Sequence, residues 1–173
     1  MLKSMTPILV LFLLSACTSK EEKALTKVYE KNKTYHQKLQ KTEKIQLKDN
    51  GITKVVLTAT YLYKPSKKKL NNKDEVFIIG IYAEDNEEQN FTQDGFSLTL
   101  EGKAAKEIKL LSKEDPHLKN ISFVSDWSQF YLVHFPHTSK KSFKLIFKSD
   151  IYGKGTLSFA KVAKYVLHKS SIF

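Results

Sequence analysis

Arginine is missing from this chain altogether, cysteine and tryptophan occur once each, proline four times and glycine six times. Each scarcity excludes something. A single cysteine, Cys17, permits no intrachain disulfide and leaves the rest of the chain without a thiol nucleophile or a zinc-thiolate site. The net charge of +11 invites a nucleic-acid reading, but all 29 basic residues are lysine. Without arginine there is no bidentate fork for guanines or phosphates, so nucleic acid is not expected as a partner. A lysine-only basic set fits an AT-rich genome and a solvated basic surface. The sharper alternative is attraction to anionic envelope material such as phospholipid, lipopolysaccharide or acidic glycans. Catalytic signatures are absent too. The sequence has no nucleophile elbow, no helical zinc-protease motif, no phosphate loop and no Gly-rich dinucleotide turn. Long apolar runs are missing as well. Ile8–Leu14 is seven residues, about 10 Å of helix against a bilayer core of about 30 Å.

That short run is placed as a signal peptide places its core. Lys3 supplies a positive charge ahead of it, and the small residues Ser15 and Ala16 follow it. Leu14-Ser15-Ala16-Cys17 then resembles the lipobox of bacterial lipoproteins at every position. The resemblance covers the leader alone. It implies cleavage before Cys17 and a diacylglyceryl group on that cysteine, anchoring the chain to a membrane through two or three acyl chains. Thr18, which is not aspartate, resembles the pattern sorted to the outer membrane in Gram-negative bacteria. A Gram-positive host would display the protein on the outer face of its one membrane.

The expected organisation is a signal peptide (1–16), a lipidated tether or short helix (17–42) and one β domain (43–173). Ser19 and Glu22 form a candidate capping box, and Leu25, Val28, Tyr35 and Leu39 mark a helical stripe that Asn32 interrupts. Beyond residue 43 the period falls to two. Candidate strands are 45–47, 54–63, 75–83, 96–100, 121–123, 130–135, 143–147 and 156–166. Segment 104–113 reads equally as strand or helical turn. Turn signals lie at Pro65-Ser66, Asn71-Asn72, Asp94-Gly95, Pro116, Pro136 and Gly153-Lys154-Gly155. Seven or eight short strands between turns predict a mainly β fold, an antiparallel β-sandwich of immunoglobulin-like general shape, with a small barrel as the alternative. Phe77, Phe96, Phe123, Phe130, Phe135, Phe143, Phe147 and Phe159 are expected to fill its core. Trp127 is expected either to cap that core or to stand exposed as a binding aromatic.

The remaining candidates are surface features. His134 and His137 have H-x-x-H spacing, but a strand would point the rings apart, so no metal site is expected, and no cofactor or catalytic residue either. Glu84, Asp85, Glu87 and Glu88 lack the spacing of a calcium loop. Lys67, Lys68 and Lys69 occupy an expected hairpin loop, 64–74, where the ordinary reading is a solvated charge run and the sharper one is contact with an anionic lipid or glycan. Asn32 and Asn90 lie in Glu-x-Asn-x-Thr, which resembles the acceptor site of bacterial periplasmic N-glycosylation. Together these features favour a non-enzymatic, membrane-anchored interaction or accessory subunit of an envelope assembly with a protein partner. A carrier or sensor of a hydrophobic or anionic small ligand is the alternative, and an enzyme with an unfamiliar site ranks last.

Overall fold

A computed structural model describes residues 33–63, 73–84, 91 and 95–161, and residues 24, 27, 28, 30 and 31 ahead of them. The described residues from 34 onward form one compact unit. Helix α1 (Lys33–Leu39) is followed by β1 (Thr42–Asp49), β2 (Ile52–Tyr61), β3 (Glu75–Ala83), β4 (Phe96–Leu100), β5 (Lys103–Ala104), β6 (Glu107–Leu111), β7 (Gln129–Phe135), β8 (Ser142–Ser149) and β9 (Gly153–Ala160). A 3-10 turn, Pro116–Leu118, lies between β6 and β7. The strands make a five-stranded sheet, β1-β2-β3-β7-β6, and a four-stranded sheet, β5-β4-β8-β9, with every pairing antiparallel. The expected β-sandwich is the observed architecture.

Period-two alternation is what builds it. Val55, Leu57, Ala59 and Tyr61 on β2 and Phe77, Ile79 and Ile81 on β3 turn inward. Leu98 and Leu100 on β4, Phe143, Leu145 and Phe147 on β8, and Leu157 and Phe159 on β9 meet them from the other sheet. Each large side chain so buried contributes about 1.5–3 kcal/mol. Around Tyr61 the rings interlock. Phe77 stacks on it at 4.9 Å and Phe143 meets it edge-on at 5.2 Å. The space between the sheets is thus filled by aromatic and aliphatic side chains together.

Two tight hairpins fix the register. Asn50 and Gly51 join β1 to β2, and Glu101 and Gly102 join β4 to β5; all four residues have positive φ. Paired positive φ is the I′ geometry whose twist matches that of the strands it links. At one edge the sheets close on each other through Gly155. A Cβ there would lie 1.7 Å from Ile45 Cδ1, so only glycine lets β9 approach β1 this closely.

Three expectations are corrected, and one left open is decided. Residues 121–123 are not a strand: Ile121 is buried in a loop, and Phe123 has φ 65°. Segment 104–113, open between strand and helical turn, takes the strand alternative over Glu107–Leu111, where Lys109 and Leu111 pair with Leu132 and Phe130 of β7. Gly153 and Gly155 belong to β9, and the turn before them is Asp150–Tyr152. Strand β9 ends at Ala160 rather than running toward 166, where residues from 162 onward lie outside the described set. The core list also shifts. Phe91, only 2% exposed, joins it, whereas Phe123 and Trp127 do not.

Candidate functional site

The outer face of the five-stranded sheet can be read from register. Lys44, Thr58, Gly80, Phe130 and Leu111 stand in one row across β1, β2, β3, β7 and β6. Gly80 has no side chain, and a Cβ there would come within 2.6 Å of both Phe130 Cε1 and Thr58 Oγ1. The missing Cβ makes room for the Phe130 ring. Phe130 then forms a second apolar cluster with Ile78, Leu111, Leu118 and Ile121. The segment 112–128 therefore covers the β3–β7–β6 half of this face.

Where that cover ends, a groove of about 590 Å³ opens toward β1 and β2. Lys44, Val56, Thr58 and Tyr82 form its sheet side, and Phe123, Val124 and Trp127 form the other wall. These wall residues are exposed: Trp127 by 80%, Phe123 by 57% and Val124 by 47%. The loop that carries them is held by local bonds. Ser128 N donates to Ser125 O, the two serine hydroxyls lie 3.0 Å apart, and Lys113 Nζ donates to Asp126 O. Two residues in it, Asn120 and Phe123, take left-handed backbone. For Phe123 that conformation costs about 1–2 kcal/mol. Ser122 Oγ is buried without a hydrogen-bond partner. The loop is therefore not built for stability alone. A strained backbone that presents a large apolar side chain to solvent is a mark of binding surfaces.

A second cleft, of about 430 Å³, lies between α1, the segment after β2 and the 3-10 turn. Lys38, Lys41, Tyr61, Tyr63 and His117 are among its lining residues. Tyr61 and Tyr63 stack at 5.6 Å, and Lys41 Nζ stands 5.1 Å from the Tyr63 ring centroid while donating to Tyr63 O. Burial pulls the Lys41 ammonium below its ordinary pKa. On the opposite wall Asp115 caps the 3-10 turn, accepting from His117 N at 2.9 Å and pairing with His117 Nδ1 at 2.7 Å. Those bonds, the backbone one first, hold the Asp115 carboxyl below its usual range.

A buried polar cluster surrounds Glu75, which is 3% exposed. Its Oε2 accepts from the Tyr61 hydroxyl, and its Oε1 accepts from Lys161 Nζ at 2.7 Å and Thr138 N at 3.1 Å. His137 Nδ1 lies 3.1 Å from the same oxygen. Burial, with the hydrogen bond to Glu75 next, drives the Tyr61 phenol far above its ordinary pKa. Every oxygen of the carboxylate is thus engaged, which suits a structural tie rather than a reacting group.

The residues singled out from sequence fare unevenly. Cys17, Asn32, Asn90, Lys67, Lys68 and Lys69 lie outside the described residues, as do Asp85, Glu87 and Glu88. Glu84 is described and pairs with Lys54 at 2.8 Å. His137 joins the Glu75 cluster, whereas His134 stands on β7 opposite Glu107 and Val76. Among the described residues no group of three His, Cys, Asp or Glu side chains is placed to hold a metal, and no helix is long and apolar enough to cross a membrane. Trp127 resolves to the exposed alternative. Comparison with protein-family models, curated proteins and solved structures yields no match.

Proposed function

We propose that this protein is a lipid-anchored component of the bacterial envelope with no catalytic role of its own. It acts as an interaction or accessory subunit whose docking surface is the groove walled by Phe123 and Trp127. The observation that supports this is the exposure of Trp127 beside Phe123 and Val124, against the open outer face of β1 and β2. Large aromatic side chains in a partly preformed groove are the residues that dominate binding energy at protein interfaces. The occupant is a protein partner presenting an apolar segment flanked by acids. Lys44 borders the groove, and a chain of net charge +11 attracts acidic surfaces. The lipobox residues Leu14–Cys17 supply the membrane anchor, with Cys17 as the attachment site. The membrane is the outer one, on its periplasmic face, in a Gram-negative host.

The test is affinity purification of the tagged chain from solubilised envelopes. A stoichiometric partner recovered with the wild type and lost with Trp127→Ser supports the reading. Recovery of the same partner with both chains removes the groove from it. Intact mass of the same preparation reads the modifications. A peptide starting at Cys17 plus acyl mass is expected, and an unmodified Cys17 would contradict the anchor. Mass at Asn32 or Asn90 beyond the peptide would establish glycosylation.

A further inference from the structure

The cleft beside α1 shares no lining residue with the groove. We infer that it binds a small organic anion with a flat apolar body, an aromatic carboxylate, seating the acid on Lys41 and the body against Leu62 and Tyr63.

Lys41 carries the argument. An ammonium has three N–H donors. Tyr63 O takes one, at 2.7 Å, and the Tyr63 ring faces the charge at 5.1 Å. Among the described residues no carboxylate pairs with Lys41, although carboxylates close other lysines of this domain: Glu84 closes Lys54, Asp74 closes Lys106, and Glu75 closes Lys161. A partly desolvated cation without a counter-charge is costly, and its lowered pKa expresses that cost. An anion entering the cleft would supply the missing partner at a place where screening by water is reduced.

The surroundings fix the rest of the ligand. The cleft is mostly apolar, and its accessible aromatic surface belongs to the half-buried Tyr63, because Tyr61 is 1% exposed and stacked on both Phe77 and Tyr63. A planar body packs against Tyr63 and Leu62, whereas a bare inorganic anion would leave that apolar surface empty. Lys38, whose Nζ donates to Lys119 O at 2.7 Å, adds a second positive charge to the lining. That hydrogen bond also ties α1 to the residue after the 3-10 turn, so the two walls of the cleft are joined. His117 is held against Asp115 and keeps the opposite wall in place. A volume of about 430 Å³ accommodates a two-ring acid and falls in the range of small-molecule sites.

The probe is 2-naphthoate, titrated calorimetrically into the full chain, with 2-naphthamide as its neutral isostere. Saturable binding of naphthoate, at least tenfold weaker for naphthamide and at least tenfold weaker in Lys41→Met, is the expected result. Methionine preserves most of the lysine stem, and the naphthamide comparison needs no variant at all. Trp127 is the one tryptophan in the sequence and lies in the other groove, so its fluorescence reports that site separately. No saturable binding up to millimolar naphthoate would overturn the inference. So would equal affinity for the amide, or binding that persists in Lys41→Met and quenches Trp127.

Discussion

Lys161, the residue that follows β9 in the four-stranded sheet, places its ammonium 2.7 Å from Oε1 of Glu75, the first residue of β3 in the five-stranded sheet. The same ammonium donates to Thr138 O, and Tyr61 donates to the other carboxylate oxygen. Both sheets are thus tied at one end of the sandwich by a charge pair largely closed to water. Removing one partner leaves the other buried and uncompensated, at a cost of about 3–5 kcal/mol. Lys161→Met is expected to lose about 3 kcal/mol in urea denaturation, and Glu75→Leu with Lys161→Met to recover much of that. A loss below about 1 kcal/mol for the single variant would show that the pair does not hold the sheets.

Gly155 lets β9 lie close to β1 for a steric reason, so its replacement is predicted to act through Ile45. Gly155→Ala places a methyl where Ile45 Cδ1 and Cγ1 now lie, 1.7 and 2.7 Å from the new atom. Overpacking of this kind costs about 1–3 kcal/mol. Adding Ile45→Val, which removes Cδ1, is expected to return part of the loss. A double-mutant cycle in denaturant measures the coupling, and strict additivity would mean that the two residues do not press on each other.

Acid is expected to remove the contribution that Glu101, at the β4–β5 hairpin, makes to stability. Glu101 takes left-handed backbone at its tip and accepts from Lys144 N at 2.7 Å and from Lys140 Nζ. The Lys140 bond first, and the Lys144 bond second, hold its carboxyl below the ordinary value of 4.5. A depressed carboxyl stabilises the fold fully above its unfolded value, and that contribution is lost as pH falls through the folded value. The stability difference between wild type and Glu101→Gln should therefore be constant above about pH 5.5 and shrink below about pH 4.5. Denaturation midpoints across pH 3–7 test this, and a difference that stays flat would contradict it.

Phe123 separates stability from binding. Its φ of 65° disfavours any residue with a Cβ, and its side chain is more exposed than buried. Glycine accepts that backbone freely. Phe123→Gly is therefore predicted to keep stability within about 1 kcal/mol of wild type while abolishing partner recovery. Thermal denaturation and co-purification of the same variant give the two readings. Unfolding of the variant would assign Phe123 to the fold instead.

The sandwich is legible in its β-branched and aromatic runs, most of which alternate, although β3 is buried on both faces over Phe77–Ile81. Lys54–Tyr63, Glu75–Ala83, Phe130–Phe135 and Phe143–Phe147 all contain the strands that their pattern predicts or overlap them. The Asn50-Gly51 hairpin, a strong local signal, passed unread beside the Gly-Lys-Gly of 153–155, which looks like a turn but pairs as a strand. The groove was hidden for a different reason. Ile121 and Phe123 have the spacing of a strand, yet Gly80 lets Phe130 lie on the sheet, and the loop folds over it and turns Phe123 outward. Glu75 was invisible because Lys161 is 86 positions away and only the packing of the two sheets brings them together. Lys41 looked like one lysine among 29, and only the structure shows that it stands against Tyr63 without a carboxylate of the described residues beside it.

The measurement that tests the central claim most directly is site-specific photo-crosslinking in intact cells, with the crosslinking residue at Val124, which lines the groove beside Trp127, and, as a control, at Lys48, which is exposed on β1. The account predicts one discrete adduct with an envelope protein from position 124, absent from position 48 and abolished by Phe123→Gly in the same chain. Equal adducts from both positions, or none from position 124 in the membrane fraction, would contradict it.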